Sequence, residues 1–159
     1  MKNIHQWFEA YGESHQNPVN KRLHWICVPA IFFSILALLA SIPAPYLHSW
    51  APPVMEPYLH YGTVLVVLGL LFYLRLSVPM AVGVGLFSAL CLWGVAQMWY
   101  SPLPLWIPAL SIFVVAWIGQ FVGHKIEGAK PSFLKDLQFL LIGPAWLLGF
   151  LYRRWGLSY

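Results

Sequence analysis

Charge is scarce in this chain of 159 residues. Only 9% of the residues are Asp, Glu, Lys or Arg, whereas 60% are hydrophobic, and the mean hydropathy is +0.68. A soluble domain carries about 25% charged residues, so this chain has too few polar groups to cover its own surface. A soluble globular protein is therefore excluded, and we expect the apolar surface to face lipid.

Cysteines and aspartates are also rare. The two cysteines, Cys27 and Cys91, lie in apolar segments, where they are interpreted as small buried hydrophobic residues instead of a structural disulfide. Asp136 is the only aspartate and no G-x-S-x-G motif is present, which argues against Ser-His-Asp catalysis. The net charge of +4 does not indicate nucleic-acid binding, because the basic residues mark the ends of apolar runs and form no single patch.

Long apolar stretches, in contrast, are abundant. A membrane-spanning helix needs about 20 mostly apolar residues, and four stretches approach this length, at about 25–42, 57–75, 76–99 and 104–124. Proline-rich segments that cannot form regular helix separate the first stretch from the second and the third from the fourth. The sequence predicts an all-α protein with a single membrane domain over residues 1–159, a polytopic bundle of four transmembrane helices.

The basic residues predict how this bundle is oriented. With four spans, all nine Lys and Arg residues fall on one side of the membrane, which the positive-inside rule assigns to the cytoplasm. The polar segment 1–24 then lies in the cytoplasm, and it lacks the apolar stretch and cleavage site of a signal peptide. We expect an integral protein of the bacterial inner membrane, or of the endoplasmic reticulum in a eukaryote.

The last apolar stretch, residues 137–152 within a predicted helix over 133–152, does not fit this alternation. It is interrupted by Gly143-Pro144 and followed by Arg153 and Arg154, which would lie on the wrong side if the stretch crossed the membrane. The sequence therefore predicts a re-entrant or interfacial helix here, with a fifth span as the alternative.

Three histidines fall together at the cytoplasmic boundary. His15 and His24 precede the first span and His124 ends the fourth, whereas His48 and His60 lie on the opposite side. Neutral imidazole is a common ligand of borderline metals, so the three histidines predict a metal site. A histidine near a helix end also often only hydrogen-bonds at the interface, and this second interpretation stays open.

Other polar side chains accompany these histidines. Gln120, His124 and Glu127 are spaced i, i+4 and i+7, so they share one face of a helix. Asn17 and Asn20 lie between the first two histidines. Amides and carboxylates of this kind complete a metal site or orient its histidines. The four histidines on the cytoplasmic side, counting the weaker candidate His5, are too few for a histidine-rich di-iron centre, which leaves a single metal ion.

The motifs around these residues resemble those of the Mpo1-like family over most of the chain. They read Tyr11…His15-x-Asn17-x-x-Asn20-x-x-x-His24-x-x-x-x-Pro29 and Trp117-x-x-Gln120-Phe-x-Gly123-His124-x-x-Glu127, with Pro131 following. The resemblance implies a small multi-spanning membrane protein with iron(II)-dependent 2-hydroxy fatty acid dioxygenase activity. Such an enzyme uses O2 to convert a 2-hydroxy fatty acid into a fatty acid one carbon shorter.

The resemblance also implies site residues and partners. His15, His24 and His124 would bind Fe(2+), with the amides and Glu127 as further ligands or orienting groups. The substrate carboxylate would be attracted by a nearby cation, although the candidates also serve as topology determinants: Lys21, Arg22 and Lys125. The expected partners are the 2-hydroxy fatty acid, O2 and membrane lipid, with no nucleic acid.

Two other classes of protein stay open. One is a non-enzymatic membrane scaffold in which the histidines anchor helix ends. The other is a small carrier, which would need charges at the membrane midplane; the uncharged stretch 76–123 argues against it. Oxygen uptake with a 2-hydroxy acyl substrate separates the enzyme from both.

Overall fold

A computed structural model describes residues 3–49, 52–128 and 141–159, and every regular element within them is helical. The prediction of an all-α chain is therefore confirmed. A 3-10 helix covers Pro53–Tyr58, and the α-helices in chain order are α1 (Ile4–Gly12), α2 (Pro18–Ala40), α3 (Pro45–His48), α4 (Tyr61–Leu76), α5 (Val78–Trp99), α6 (Trp106–Glu127) and α7 (Ile142–Arg154).

Capping residues explain where several of these helices begin and end. Asn3 forms a capping box with Gln6 at the start of α1. The Asn17 side chain accepts a hydrogen bond from the backbone N–H of Val19, and proline in the first position suits the start of α2. At the end of α6, Gly128 adopts φ 75°, a left-handed conformation that favours glycine at a helix C-terminus.

Three helices, α2, α5 and α6, are long and apolar enough to cross a membrane. The apolar helix α4 has 16 residues, which at a rise of 1.5 Å per residue gives about 24 Å, less than the hydrocarbon core of about 30 Å. Large apolar side chains such as Leu68, Leu86 and Val115 are exposed on α4, α5 and α6. A contiguous exposed apolar surface is typical of contact with lipid, and these features are those of a helical membrane protein.

The helix ends differ from the predicted span boundaries for local reasons. The first helix begins at Pro18 instead of 25, because Asn17 provides its cap. The second begins at Tyr61 instead of 57, because Pro57 lies in the 3-10 helix. The third and fourth helices cover 78–99 and 106–127, close to the predicted 76–99 and 104–124.

The C-terminal segment forms a helix as well, with different limits. Residues 133–140 of the predicted helix lie outside the described residues, and α7 continues to Arg154. Gly143 and Pro144 stand in its first turn, where proline is tolerated because the N–H groups there have no helical partner. The Gly-Pro pair therefore lies at the start of α7.

The closest contact between long helices is made by α2 and α6. A Cβ atom at Gly119 would lie 2.6 Å from Sγ of Cys27, and one at Gly123 would overlap Oδ1 of Asn20. The two glycines are four residues apart and therefore lie on one face of α6. They allow the backbone of α6 to approach α2, as small residues do in membrane helix pairs.

We expect Gly123→Ala to destabilise the protein by about 1–3 kcal/mol, because the added methyl group overpacks the contact with the buried Asn20 side chain. Gly85→Ala is the matched control, since its Cβ would lie 3.5 Å from a Leu70 methyl group, an ordinary contact. Thermal unfolding in mild detergent measures both. Equal melting temperatures for the two variants would contradict the close approach at Gly123.

Helix α7 packs against α1, α2 and α5. The hydroxyl group of Tyr152 near its end donates a hydrogen bond of 2.8 Å to the carbonyl oxygen of Pro79, in the first turn of α5. At its start, a Cβ atom at Gly143 would lie 3.0 Å from Cγ1 of Val28, in the middle of α2. Thus α7 begins inside the bundle, and its last turn with Arg153 lies at the end where α5 begins.

Candidate metal centre

Three elements bring His15, His24 and His124 to one end of the bundle. His15 lies in the connection between α1 and α2, His24 in the second turn of α2, and His124 in the last turn of α6. Their exposed fractions are 2%, 1% and 4%. One nitrogen atom of each ring lies within 4.8 Å of the chosen nitrogen atoms of the other two. The three buried histidines are therefore close enough to bind one metal ion.

The rings face each other edge to face. The centroids of His15 and His24 are 4.2 Å apart, and each of them is 5.2 Å from the centroid of His124. Nε2 of His15 and Nε2 of His24 are 2.8 Å apart. The nitrogen atoms, and not only the rings, thus converge on a common point.

Backbone carbonyl groups determine which nitrogen carries the proton. Nδ1 of His15 donates to the carbonyl oxygen of Tyr11 at 2.5 Å, and Nδ1 of His24 donates to that of Asn20 at 2.9 Å. Because a carbonyl oxygen only accepts, Nε2 of each neutral ring keeps a free lone pair. Two lone pairs at 2.8 Å repel each other unless a cation lies between them. The donor set therefore fits a metal ion bound by both Nε2 atoms.

The protonation state of His15 also suits a ligand. Burial lowers the pKa of the His15 imidazole to about 4, with a smaller opposing contribution from the hydrogen bond to Tyr11. The ring is neutral near pH 7, and neutral imidazole is the form that coordinates metal ions.

Aromatic rings cover the histidine cluster from two helices. The ring of Tyr11 stacks on His15 with a centroid distance of 4.2 Å and an interplanar angle of 6°. Trp146 of α7 lies with its ring centroid 5.5 Å from that of His15 and 5.1 Å from that of Tyr11. Both residues are about 5% exposed. They exclude water from this side, which strengthens electrostatic interactions within the cluster.

Sequence reasoning did not place Tyr11 or Trp146 at the site. Tyr11 stands in the first family motif, four residues before His15, so a signal for it was present. Trp146 lies on α7, far in sequence from all three histidines. No motif spacing connects it with them, so the sequence offered no signal for its position.

Glu127 joins the N-terminal segment to the end of α6. Its carboxylate accepts hydrogen bonds from the backbone N–H of Gln16 at 2.7 Å and of Asn17 at 2.9 Å, and from Nδ2 of Asn20 at 2.9 Å. These groups lie at the N-terminus of α2, where the helix dipole favours a negative charge. The carboxylate thus fixes the segment carrying His15 and His24 relative to the helix carrying His124.

The predicted amide side chains have different places. Asn17 caps α2 and is also bound by Glu127 through its backbone. Asn20 is fully buried, and its amide additionally donates to the carbonyl oxygen of Ser14 at 3.3 Å. Gln120 lies one turn before His124 and is 7% exposed, and its Oε1 atom accepts no hydrogen bond from the described residues.

The basic candidates surround the cluster instead of entering it. Arg22 and Lys125 are exposed, whereas Lys21 is half-buried and its charge contributes to lowering the pKa of His15. Lys21 is therefore the candidate whose charge acts on His15.

The remaining histidines lie elsewhere. His5 is exposed, with its ring centroid 5.6 Å from that of Tyr159. His48 lies at the other end of the bundle, with its ring centroid 6.1 Å from that of Trp99, the last residue of α5. His60 immediately precedes α4 and is buried at that same end, against α2.

The long apolar helices are those of a helical membrane protein. The three buried histidines at one end of the bundle form a candidate metal centre in it. The chain belongs to the family described as 2-hydroxy-palmitic acid dioxygenase Mpo1-like, which it matches over residues 1–155. The family resemblance of the motifs is thereby confirmed. The chain is 29% identical over 140 residues to the 2-hydroxy-palmitic acid dioxygenase MPO1 of Saccharomyces cerevisiae, covering 87% of this chain and 73% of the yeast protein. No solved structure gives a significant match.

Proposed function

We propose that this protein is a membrane-embedded, iron(II)-dependent dioxygenase that converts 2-hydroxy fatty acids into fatty acids one carbon shorter. The observation that carries this proposal is the set of three buried histidines whose nitrogen atoms lie within 4.8 Å, in a chain of the Mpo1-like family. His15, His24 and His124 are the proposed ligands. Three protein ligands leave open coordination positions, as in other non-haem iron oxygenases.

The reaction balances with O2 as the oxidant. A 2-hydroxy acid and O2 together contain the atoms of a fatty acid one carbon shorter, one CO2 and one water molecule. The bond between the carboxyl carbon and the hydroxyl-bearing carbon breaks, and the latter carbon is oxidised to the new carboxyl group. Bound iron(II) supplies the redox chemistry with O2 and the Lewis acidity toward the hydroxyl and carboxylate oxygens.

The protein's own residues prepare the site for this chemistry. The carbonyl groups of Tyr11 and Asn20 hold the imidazoles of His15 and His24 in one orientation and one tautomer. Tyr11 and Trp146 exclude water. Lys21 attracts the substrate carboxylate toward the cluster, and the unsatisfied Oε1 of Gln120 offers a buried acceptor for a hydroxyl group.

The proposed protein has four membrane-spanning helices and one shorter helix that does not span. The helices α2, α4, α5 and α6 cross the bilayer, with the short α4 accommodated by local thinning. Helix α7, at 13 residues or about 20 Å, is too short to cross and enters and leaves on one side. Arg75 and Arg153 then lie on the same side as the histidine cluster, which the positive-inside rule assigns to the cytoplasm.

The test measures metal and oxygen together. Protein purified in mild detergent is expected to contain about one iron per chain. It should consume O2 with a 2-hydroxy fatty acid and release an acid one carbon shorter, whereas the same fatty acid without the hydroxyl group should give no uptake. Folded protein that binds iron but consumes no O2 with any 2-hydroxy acid would refute the dioxygenase and favour a scaffold.

A further inference from the structure

An apolar cavity lies between α2, α5 and α7. Its volume is about 200 Å³. It is lined by Trp25, Pro29, Phe87, Pro144, Leu147, Leu148 and Leu151. None of these side chains is charged, and Trp25 is 39% exposed at the edge. The cavity is therefore an apolar crevice, with the partly exposed Trp25 as one of its walls.

Two walls of this crevice belong to helices that carry or cover the histidines. On α2, Trp25 follows His24, and Pro29 lies five residues beyond His24, which corresponds to about 7.5 Å along the helix axis. On α7, Leu147 follows Trp146, whose ring lies 5.5 Å from that of His15. Two walls of the crevice thus belong to the same helices as His24 and as Trp146, whose ring covers His15.

Pro29 is otherwise unexplained by the fold. It lies inside α2, where a proline removes one backbone hydrogen bond and its ring crowds the carbonyl group four residues earlier, which here belongs to Trp25. Both Trp25 and Pro29 line the crevice. The proline, which leaves one carbonyl group of the continuous helix α2 without its usual N–H partner, therefore lies in the crevice wall.

We infer that this crevice binds the acyl chain of the substrate, with its first carbons beside His24 and its remainder running between α2 and α7 toward lipid. The inference rests on the proposed function, because the carboxylate end must be held at the histidine cluster. Lipid tails are as apolar as the crevice walls, so its shape, and not hydrophobicity alone, determines which chain lengths are accepted.

A photoreactive substrate tests the inference without turnover. A 2-hydroxy hexadecanoic acid with a diazirine in the distal half of the chain is added to the full-length protein under anaerobic conditions and irradiated. We expect crosslinks at Phe87 and in 147–151, and at least tenfold less crosslinking when unlabelled 2-hydroxy hexadecanoic acid is in excess. Crosslinks found only outside the crevice residues of α2, α5 and α7, or equal labelling in the presence of this competitor, would overturn the inference.

Substitutions that narrow the crevice provide the second measurement. Leu148→Trp and Leu151→Trp are expected to reduce crosslinking and O2 uptake with sixteen-carbon substrates at least tenfold, and with eight-carbon substrates less than threefold. Leu86→Trp is the matched control, because Leu86 is 70% exposed on α5 and lies outside the crevice. An unchanged chain-length preference in folded Leu148→Trp and Leu151→Trp would show that the crevice holds only bilayer lipid.

The two proposals fail in different ways. If crosslinks fall in the crevice and compete with 2-hydroxy acids but no O2 is consumed, the acyl site stands and the dioxygenase fails. If O2 is consumed while the crosslinks lie elsewhere, the dioxygenase stands and the acyl site is overturned.

Discussion

Replacing His24 with alanine is expected to lower iron affinity at least a hundredfold and to abolish measurable O2 uptake with 2-hydroxy fatty acids. His24 is 1% exposed, and its Nε2 atom lies 2.8 Å from that of His15. Loss of a residue that only orients a ligand lowers metal affinity about 10–100-fold, so loss of a proposed ligand should exceed this range. Elemental analysis of purified protein and oxygen-electrode measurements test the two effects separately.

The matched control is His5→Ala, which removes an exposed histidine from the same N-terminal segment. This variant should keep about one iron per chain and its full O2 uptake. Thermal unfolding of the metal-free proteins shows whether His24→Ala still folds, and a folded variant that retains stoichiometric iron and activity would eliminate His24 as a ligand. His124→Ala, in which the change lies on α6, repeats the test on an independent helix.

Removal of the metal should also destabilise the contact between the His15 and His24 rings. With Nδ1 of both His15 and His24 donating to carbonyl oxygens, the two Nε2 lone pairs face each other. Without a cation between them, this contact is repulsive, so the metal-free protein should be less stable than the loaded one. A ligand that binds only the folded state at 100 times its Kd stabilises that state by about 2.7 kcal/mol. The metal-dependent stabilisation should therefore disappear in His24→Ala.

The proximity of the three histidines was predictable, because the apolar stretches and the basic residues together predict which helix ends lie on the same side of a membrane. The four spans predicted from the sequence would have the start of the first and the end of the fourth on one side of a membrane, which predicts that His24 and His124 lie at the same end of the bundle. The contact of α2 with α6 then brings them together. Chain order alone does not require that contact; the close approach at Gly119 and Gly123 provides it.

Other parts of the site depend on contacts that periodicity does not encode. Glu127 was a candidate ligand or orienting group, yet its carboxylate binds backbone N–H groups of Gln16 and Asn17, which have no side-chain signature. Trp146 covers His15 only because Tyr152 and Gly143 dock α7 onto α5 and α2. The fold class and the end of the bundle at which each histidine lies follow from the order of apolar stretches in the sequence. The side chains that surround the histidines depend on tertiary packing.

Glu127 connects the segment that carries His15 and His24 with the helix that carries His124. We expect Glu127→Ala to lower iron affinity about 10–100-fold, the range found when groups that orient metal ligands are lost. The physical reason is that three hydrogen bonds to Gln16, Asn17 and Asn20 disappear together. The segment with His15 then loses its attachment to α6, and more conformational freedom must be lost when the metal binds. Titration of metal-free protein with iron(II) under anaerobic conditions measures the affinity.

Two further variants distinguish positioning from general stabilisation. Glu127→Gln keeps one acceptor oxygen but places an amide donor against donors, so its iron affinity should lie between those of wild type and Glu127→Ala. Glu13→Ala removes an exposed carboxylate from the same N-terminal segment and should leave the affinity unchanged.

If Glu127 acts only as a cap for α2, Glu127→Ala should lower the melting temperature of the metal-free protein and leave the iron affinity of the folded protein intact. A positioning role requires the opposite pattern, a larger loss of iron affinity than of metal-free stability. The reason is that the contacts of Glu127 join the two segments that carry the histidines.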